Sequence, residues 1–373
     1  MLAIFDMSSV NISRYNYEFL KRNSEKYIAY IDEPELDTEL DDYAITIIYS
    51  TGWSIKKLMQ SFKLHNVSTL IISGQRPADI RMVIAANKLN ISVIYKMHGL
   101  YVEHVKRSFI FYCSHIKKVF RTVIYLLDII ISVGCIRVSY GIFFSFLFGK
   151  TRKNWMNSDI LKVNKALVWS KYWIAWHENN WGMNPRNGWG ITGNPDTTKF
   201  TKIPVGDSSV CYIYQTLVED GKVSSVVMNA FYDNLLEIAR KQEKVVYVKW
   251  HARGEISIRN ELEQRGFIVS DDLAVGGVYI GHSSSLLGLV PVIGGVLIVF
   301  ELEGLGVPEA ISKCATLVTN KVDCLAKGIS VEYSFDNIKK SNAIYYFGSN
   351  YSYSSELSAI YCQQPPKATP SEK

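Results

Sequence analysis

Three short stretches hold side chains able to move protons and to hold anions: Gln215-Thr216-Leu217-Val218-Glu219-Asp220-Gly221, Lys249-Trp250-His251-Ala252-Arg253 and Gly281-His282-Ser283-Ser284-Ser285-Leu286. In the first, Glu219 or Asp220 is a carboxylate that can take a proton from a hydroxyl. In the second, His251 as an imidazolium, with Lys249 and Arg253 beside it, can stabilise or protonate a departing phosphate. In the third, His282 and the hydroxyls of Ser283, Ser284 and Ser285 can hold anionic oxygens if a helix starts there and offers its free N–H groups. Each alone has a plainer reading, because an isolated histidine is more often a satisfied structural residue and a serine run is commonly a helix cap. Their order along the chain, each after an apolar run, is what makes them a set.

Several other chemistries lack their residues. There is no G-x-x-x-x-G-K-[ST] loop and no G-x-G-x-x-G opening a helix after a strand, so neither a P-loop nucleotidase nor a dinucleotide oxidoreductase is expected. None of the seven histidines forms H-x-x-x-H or H-E-x-x-H, so no metal is expected. Asp271-Asp272, the nearest approach to an acidic cluster, reads as a solvated pair. The six cysteines show no C-x-x-C pair and no disulfide density, which points to free thiols.

The elements that must position these residues are short β-branched runs alternating with helical patterns. Tyr27 to Ile31, Ala44 to Tyr49, Thr69 to Ser73 and Ser92 to Tyr95 read as buried strands, with a helix over Pro77 to Leu89. Strand, helix, strand at that spacing is the unit of a parallel sheet, which makes the class α/β. Met97-His98-Gly99-Leu100 follows a strand end, where open α/β sheets place ligand-binding groups, so His98 and Gly99 are candidates for substrate contact. A second series starts at Lys165, with a strand over Ala166 to Trp169 and a strand end with a turn at Ile191-Thr192-Gly193-Asn194-Pro195, which adds Gly193 and Asn194. It continues through strands over Val210 to Tyr214, Val245 to Trp250, Gly277 to Ile280 and Val296 to Phe300, with helices over Val226 to Arg240 and Ile256 to Arg265. The expected division is an N-terminal domain over 1–116, an apolar segment over 117–153, a second doubly wound, C-terminal domain over 154–345, and a helix or tail over 346–373 whose last residues, Gln363 to Lys373, are expected to be disordered.

In the apolar segment, Val123 to Ile136 and Val138 to Gly149 are broken only by Asp128 and Arg137, and each piece is about half the ~20 residues of a spanning helix. Lys117, Lys118 and Arg121 precede it and Lys150, Arg152 and Lys153 follow, while Phe143, Phe144, Phe146 and Phe148 could enter the acyl boundary. This predicts a shallow interfacial anchor; the other reading is a pair of core helices bridging the domains. The net charge of +6, with lysine and arginine taken as dispersed along the chain, fits a phosphorylated small molecule or an anionic bilayer, and nucleic acid is not expected. Met1 to Ser9, interrupted by Asp6, is too short for a secretory signal, so the expected place is the cytoplasmic face of a membrane.

The three stretches together resemble the bacterial sialyltransferases and polysialyltransferases, which share an acidic pair followed by Gly, a His-Pro and a Ser/Ser or Ser/Thr pair. Here they stand as Glu219-Asp220-Gly221, His251-Ala252 and Ser283-Ser284-Ser285, with alanine in place of the proline. The resemblance covers roughly Lys165 to Glu309; outside it, Met97-His98-Gly99 is similar to the His-Gly of several surface-polysaccharide transferases. It implies a GT-B fold of two Rossmann-like domains with parallel sheets facing a cleft, and an inverting transfer that uses neither metal nor cofactor. The donor would be a CMP-activated acidic sugar of the sialic, pseudaminic or legionaminic type, and the acceptor a bacterial surface glycan, such as a lipid-linked one at the inner membrane. Glu219 or Asp220 would be the base, His251 the acid at the donor phosphate, and the serines would hold the donor's phosphate or carboxylate. Four other readings remain: a CMP-Kdo transferase, a CDP-glycerol type transferase, a nucleotide-sugar epimerase, and a non-catalytic scaffold of polysaccharide assembly.

Overall fold

The computed structural model describes residues 1–7, 12, 26–33, 44–100, 116–134, 136–148, 158–196, 202–204, 209–251, 253–275, 277–330 and 337–348. The chain divides into two compact units, one with Met1–His98 and Ile116–Gly193, the other with Asn194–Asn350.

In the first unit the elements run β1 (Leu2–Asp6), β2 (Tyr27–Ile31), β3 (Ala44–Tyr49), α1 (Ile55–Leu64), β4 (Thr69–Ile72), α2 (Pro77–Lys88), β5 (Ser92–Lys96), α3 (Ile116–Val133), α4 (Ile136–Phe148), β6 (Lys165–Val168), α5 (Lys171–Trp181) and β7 (Trp189–Ile191). Every strand pairing is parallel, in the order β3-β2-β1-β4-β5-β6-β7. The interior strand β1 is buried at all five positions, as a strand with helices on both faces must be. Helix α2 starts where Pro77 fits the first turn and the Asp79 carboxylate accepts from Arg76 N at 2.8 Å, satisfying the N-cap N–H.

The second unit continues with β8 (Lys202–Pro204), β9 (Ser209–Ile213), α6 (Ser225–Lys241), β10 (Val245–Lys249), α7 (Ile256–Arg265), β11 (Ile268–Ser270), β12 (Leu273–Val275), β13 (Val278–Gly281), β14 (Val296–Phe300), α8 (Glu309–Cys314), β15 (Leu317–Thr319), α9 (Val322–Ser330) and α10 (Asn337–Phe347). Its main sheet is also parallel, in the order β11-β10-β9-β13-β14-β15, and β12 pairs with β8 apart from it. Both sheets follow the doubly wound order in which the first strand lies mid-sheet and the chain reverses direction beside it. That reversal, between β1 and β4 in one unit and between β9 and β13 in the other, is the place where such sheets open a ligand crevice. Two parallel-sheet Rossmann-like units are therefore present, as the strand and helix pattern predicts.

The expected boundary near residues 150–165 moves. Strands β6 and β7 extend the first sheet, with Ile94 beside Lys165 and Ala166 beside Trp189, and the second unit starts at Asn194. Local pattern could not assign them, since an apolar four-residue strand fits either sheet. What fastens them is Asn164, whose Oδ1 accepts from Val93 N at 2.8 Å while its own N–H donates to Val93 O at 2.7 Å.

The apolar segment is neither a free anchor nor a fully buried pair. Tyr125, Leu126 and Ile129 of α3 are buried and the helix packs on α2. Its polar residues point inward: Tyr125 donates to Asp32 at 2.6 Å, Asp128 accepts from Ile55 N at 2.8 Å, and Arg121 pairs with Glu33 at 2.9 Å. No described helix is long and apolar enough to cross a membrane. The side chains of Phe144, Phe146 and Phe148, residues 149–157 and the tail from 349 onward lie outside the described residues.

Candidate functional site at the switch point of the second sheet

The three stretches of the sequence fall after β9, β10 and β13, and these are three neighbouring parallel strands, β10-β9-β13. Residues separated by up to about 70 positions are thus set side by side along one edge, across the point where the strand order reverses.

The junction between β9 and β13 is closed by side chains. Gln215 Oε1 accepts from Ser283 N at 2.8 Å and its Nε2 donates to Ser283 Oγ at 3.2 Å, so one amide satisfies both groups of the serine. Ser284 accepts from Leu286 N at 3.3 Å and caps a five-residue 3₁₀ turn, Ser285–Leu289. Ser285 Oγ donates to Asp196 at 3.3 Å, and Asp196 N in turn donates to Asn194 Oδ1 at 3.0 Å. The serines therefore differ in task. Ser283 is held at the sheet edge, Ser284 is a cap, and Ser285 ties the turn to the Asn194-Pro195-Asp196 segment.

On the other side of β9, Gly221 adopts φ of 63°, a left-handed conformation that glycine takes without strain, and turns the chain so that Glu219 and Asp220 face different partners. Glu219 Oε1 accepts from Tyr214 OH at 2.6 Å, while its Oε2 is buried without a hydrogen bond. Tyr214 stacks on Trp250 with ring centroids 4.3 Å apart, joining the ends of β9 and β10. Burial and then the bond to Glu219 push the Tyr214 hydroxyl well above the ordinary tyrosine range, so it donates and stays neutral. Asp220 Oδ2 is 3.1 Å from Lys222 Nζ, 3.2 Å from Thr216 Oγ1 and 3.9 Å from Arg253 Nη2. Burial would raise its pKa, but Lys222 and then Arg253 outweigh it and hold this carboxyl below the usual aspartate value.

At the end of β10, His251 Nδ1 accepts from Arg253 N at 3.1 Å. A proton on Nδ1 would break that bond. In the neutral ring the hydrogen is therefore on Nε2, which is a donor. Ala252, the departure from the His-Pro pattern, is outside the described residues. Lys249 is buried, with its ammonium donating to Trp250 O at 2.9 Å.

Two expected ligand contacts are fully buried side chains. His282 is fully buried, with Nδ1 bonded to Phe300 O at 2.7 Å and Nε2 to Tyr212 OH at 3.2 Å. Burial drives its pKa down to about 4 against the opposing effect of the Phe300 carbonyl, so it is a neutral core residue that fixes the end of β13. Asn194 is likewise fully buried, with its N–H on Phe347 O at 2.9 Å. Of the remaining candidates, His98 and Gly193 belong to the first unit, where His98 Nδ1 bonds Ser73 O at 2.7 Å and Gly193 N donates to Trp169 O at 3.1 Å. Gly99 has open space where a Cβ would stand.

Sequence reading missed residues that carry the site: Gln215 and Asp196 as fasteners, and Tyr214 with Trp250 as the stacked link. The first unit also has a side-chain bridge at its own switch point, between Ser73 at the end of β4 and Asp6 at the end of β1.

No family model matches the chain, and comparison with curated proteins finds no match. Among solved structures, it is similar to a provisionally assigned UDP-N-acetylglucosamine 2-epimerase from Listeria monocytogenes (TM-score 0.53, 11% identity, 96% of this chain and 95% of that one). It is also similar to another UDP-N-acetylglucosamine 2-epimerase (TM-score 0.50, 11% identity, 99% and 98% covered). A Streptomyces glycosyltransferase, SsfS6, matches with a TM-score of 0.48 at 9% identity over 96% and 99% of the two chains. The likeness is one of fold, and the class it defines is the GT-B type with two Rossmann-like domains.

Proposed function

We propose that this chain is an enzyme acting on a nucleotide-activated sugar, and that the nucleotide's phosphate lies over the C-terminal ends of β10, β9 and β13. The observation that carries the reading is the convergence of the three stretches at the switch point of the second sheet, with the Gln215 clasp on Ser283 at its centre. His251 Nε2–H, Arg253 and the Ser283 hydroxyl are the donors for the phosphate. Glu219 is the proton acceptor, because its Oε2 is unsatisfied whereas Asp220 is committed to Lys222 and Arg253.

Within that class, the motif pattern supports inverting transfer of an acidic sugar from CMP to a surface-glycan hydroxyl. The acceptor oxygen attacks the anomeric carbon and its proton passes to Glu219. The bond from that carbon to the phosphate oxygen breaks, and CMP leaves with the electron pair. A second reading is favoured by the likeness to the two solved structures named as UDP-N-acetylglucosamine 2-epimerases, and it would make the chain an epimerase of a UDP-sugar.

A thermal-shift panel of CMP, CDP, UDP and GDP separates the two, since a ligand that binds only the folded protein stabilises it by mass action, about 2.7 kcal/mol at a hundred times Kd. Selective stabilisation by CMP supports the transferase and by UDP the epimerase. Response to CDP alone points to a CDP-alditol transferase. No response to any of the four, with the protein folded, contradicts a nucleotide-sugar enzyme and leaves the scaffold.

A further inference from the structure

The positive excess of the chain is not dispersed. Of 41 basic and 35 acidic residues, seven basic ones (Lys117, Lys118, Arg121, Arg137, Lys150, Arg152, Lys153) and one acid (Asp128) fall within 116–153, so the rest of the sequence carries 34 of each sign. The single acid is also partly buried and engaged, accepting from Ile55 N at 2.8 Å and lying 3.6 Å from Arg81 Nε. The excess over the whole chain therefore belongs to one segment.

The same segment presents an apolar stripe. With its inner face on the first unit, α3 leaves Phe120, Val123, Ile124, Leu127 and Ile131 exposed, and Ile131 is 79% accessible. These positions recur at three- and four-residue steps, so they lie on one side of the helix, opposite Tyr125 and Ile129. Helix α4 adds exposed Ile136, 89% accessible, and Tyr140. Between the two helices a cavity of about 480 Å³ opens, lined by Ile130, Gly134, Ile136, Ser139, Tyr140 and Phe143. Lys117, itself exposed, stands at the start of the stripe.

We propose that the outer face of α3 and α4 docks flat on an anionic lipid bilayer, the apolar stripe entering the headgroup and acyl boundary while exposed Lys117 meets lipid phosphates. Charge complementarity selects the occupant, because the stretch of sequence that carries the whole positive excess of the chain, with exposed Lys117 at the start of its stripe, is matched by a sheet of negative charge. A second copy of this chain would place two such segments of like charge face to face. The inward pins of Tyr125, Asp128 and Arg121 keep the helix on the fold, so the contact is peripheral. This proposal stands apart from the choice of substrate, and with it goes the expected location at the cytoplasmic face of a membrane.

The test is co-sedimentation of the full chain with vesicles of phosphatidylcholine alone or with about a third phosphatidylglycerol. Each basic residue at an anionic surface raises affinity about fivefold, so the anionic vesicles should bind at least tenfold more tightly, and 1 M salt, which shortens the screening length to about 3 Å, should release the protein. Phe120→Ser with Leu127→Ser should lower binding by about tenfold or more with an unchanged melting temperature, since both side chains already face solvent. Lys117→Glu is the second variant and should weaken binding to the anionic vesicles alone. A folded parent that ignores anionic vesicles, or variants that bind as the parent does, would overturn the proposal. So would a dimer that dissociates in the double variant while the parent stays off the vesicles.

Discussion

Gln215 holds Ser283 at both of its polar groups, accepting from the serine N–H at 2.8 Å and donating to its hydroxyl at 3.2 Å. This amide crosses the switch point of the second sheet, so it sets where the edge of β13 stands relative to β9. Gln215→Ala would leave the Ser283 N–H without its partner, costing roughly 1 to 3 kcal/mol of stability. Nucleotide affinity should fall as well, by about tenfold. Urea unfolding together with a nucleotide titration checks both effects. Ser284→Ala removes only a cap, so it should cost about 0.5 to 2 kcal/mol and leave affinity within a factor of about three. Equal affinity losses in the two variants would mean that the clasp has no special place in the site.

The acidic pair divides its labour. Glu219→Gln should reduce turnover by roughly 10² to 10⁴, because the proton acceptor is lost while the bond from Tyr214 can persist. Asp220→Asn should reduce it by less than about tenfold, since this carboxylate serves Lys222 and Arg253. Steady-state assays of both variants, with the nucleotide sugar that the thermal panel selects, decide the matter, and a reversed order would move the base to Asp220.

Two buried histidines make stability depend on pH. Burial lowers the pKa of His177 in the first unit and of His282 in the second, each to about 4, while both titrate near 6.5 when unfolded. Between those values the unfolded chain binds a proton that the folded chain excludes. Stability is therefore fully present above pH 6.5 and is lost as pH falls toward 4, at about 1.4 kcal/mol per pH unit for each histidine. His282→Gln keeps a donor for the Phe300 carbonyl and removes the titration, so its urea midpoint should vary less steeply than the parent's from pH 6.5 to 5. Parallel pH profiles would show that His282 binds protons alike in the folded and unfolded states.

Much of this was legible in the sequence. The buried strands announced themselves as apolar β-branched runs, and the three chemical stretches each followed one, so their convergence on neighbouring strand ends could be anticipated. Strand β1 was missed: Leu2–Asp6 is an apolar run that was weighed only as a leader, although it pairs with both β2 and β4. The domain boundary was misplaced because nothing local says which sheet a strand like Lys165–Val168 joins; that depends on a pairing with β5 some 70 residues away. His282 and Asn194 looked like ligand contacts because residue type is visible in a sequence and burial is not. The clasp of Gln215 was invisible for a similar reason, since an amide followed by threonine carries no signal until the facing serine is known. The apolar segment misled in another way: Tyr125, Asp128 and Arg121 lie on its inner side, and only the fold shows that these polar breaks are fastenings.

The most direct measurement is calorimetric titration of CMP and of UDP into the parent chain and into His251→Ala and Ser283→Ala. A hydrogen bond to a charged oxygen is worth roughly 1.5 to 3 kcal/mol, so each variant should bind the preferred nucleotide about ten- to a hundredfold more weakly while remaining folded by circular dichroism. Unchanged affinity in both folded variants would contradict a phosphate site over β10, β9 and β13.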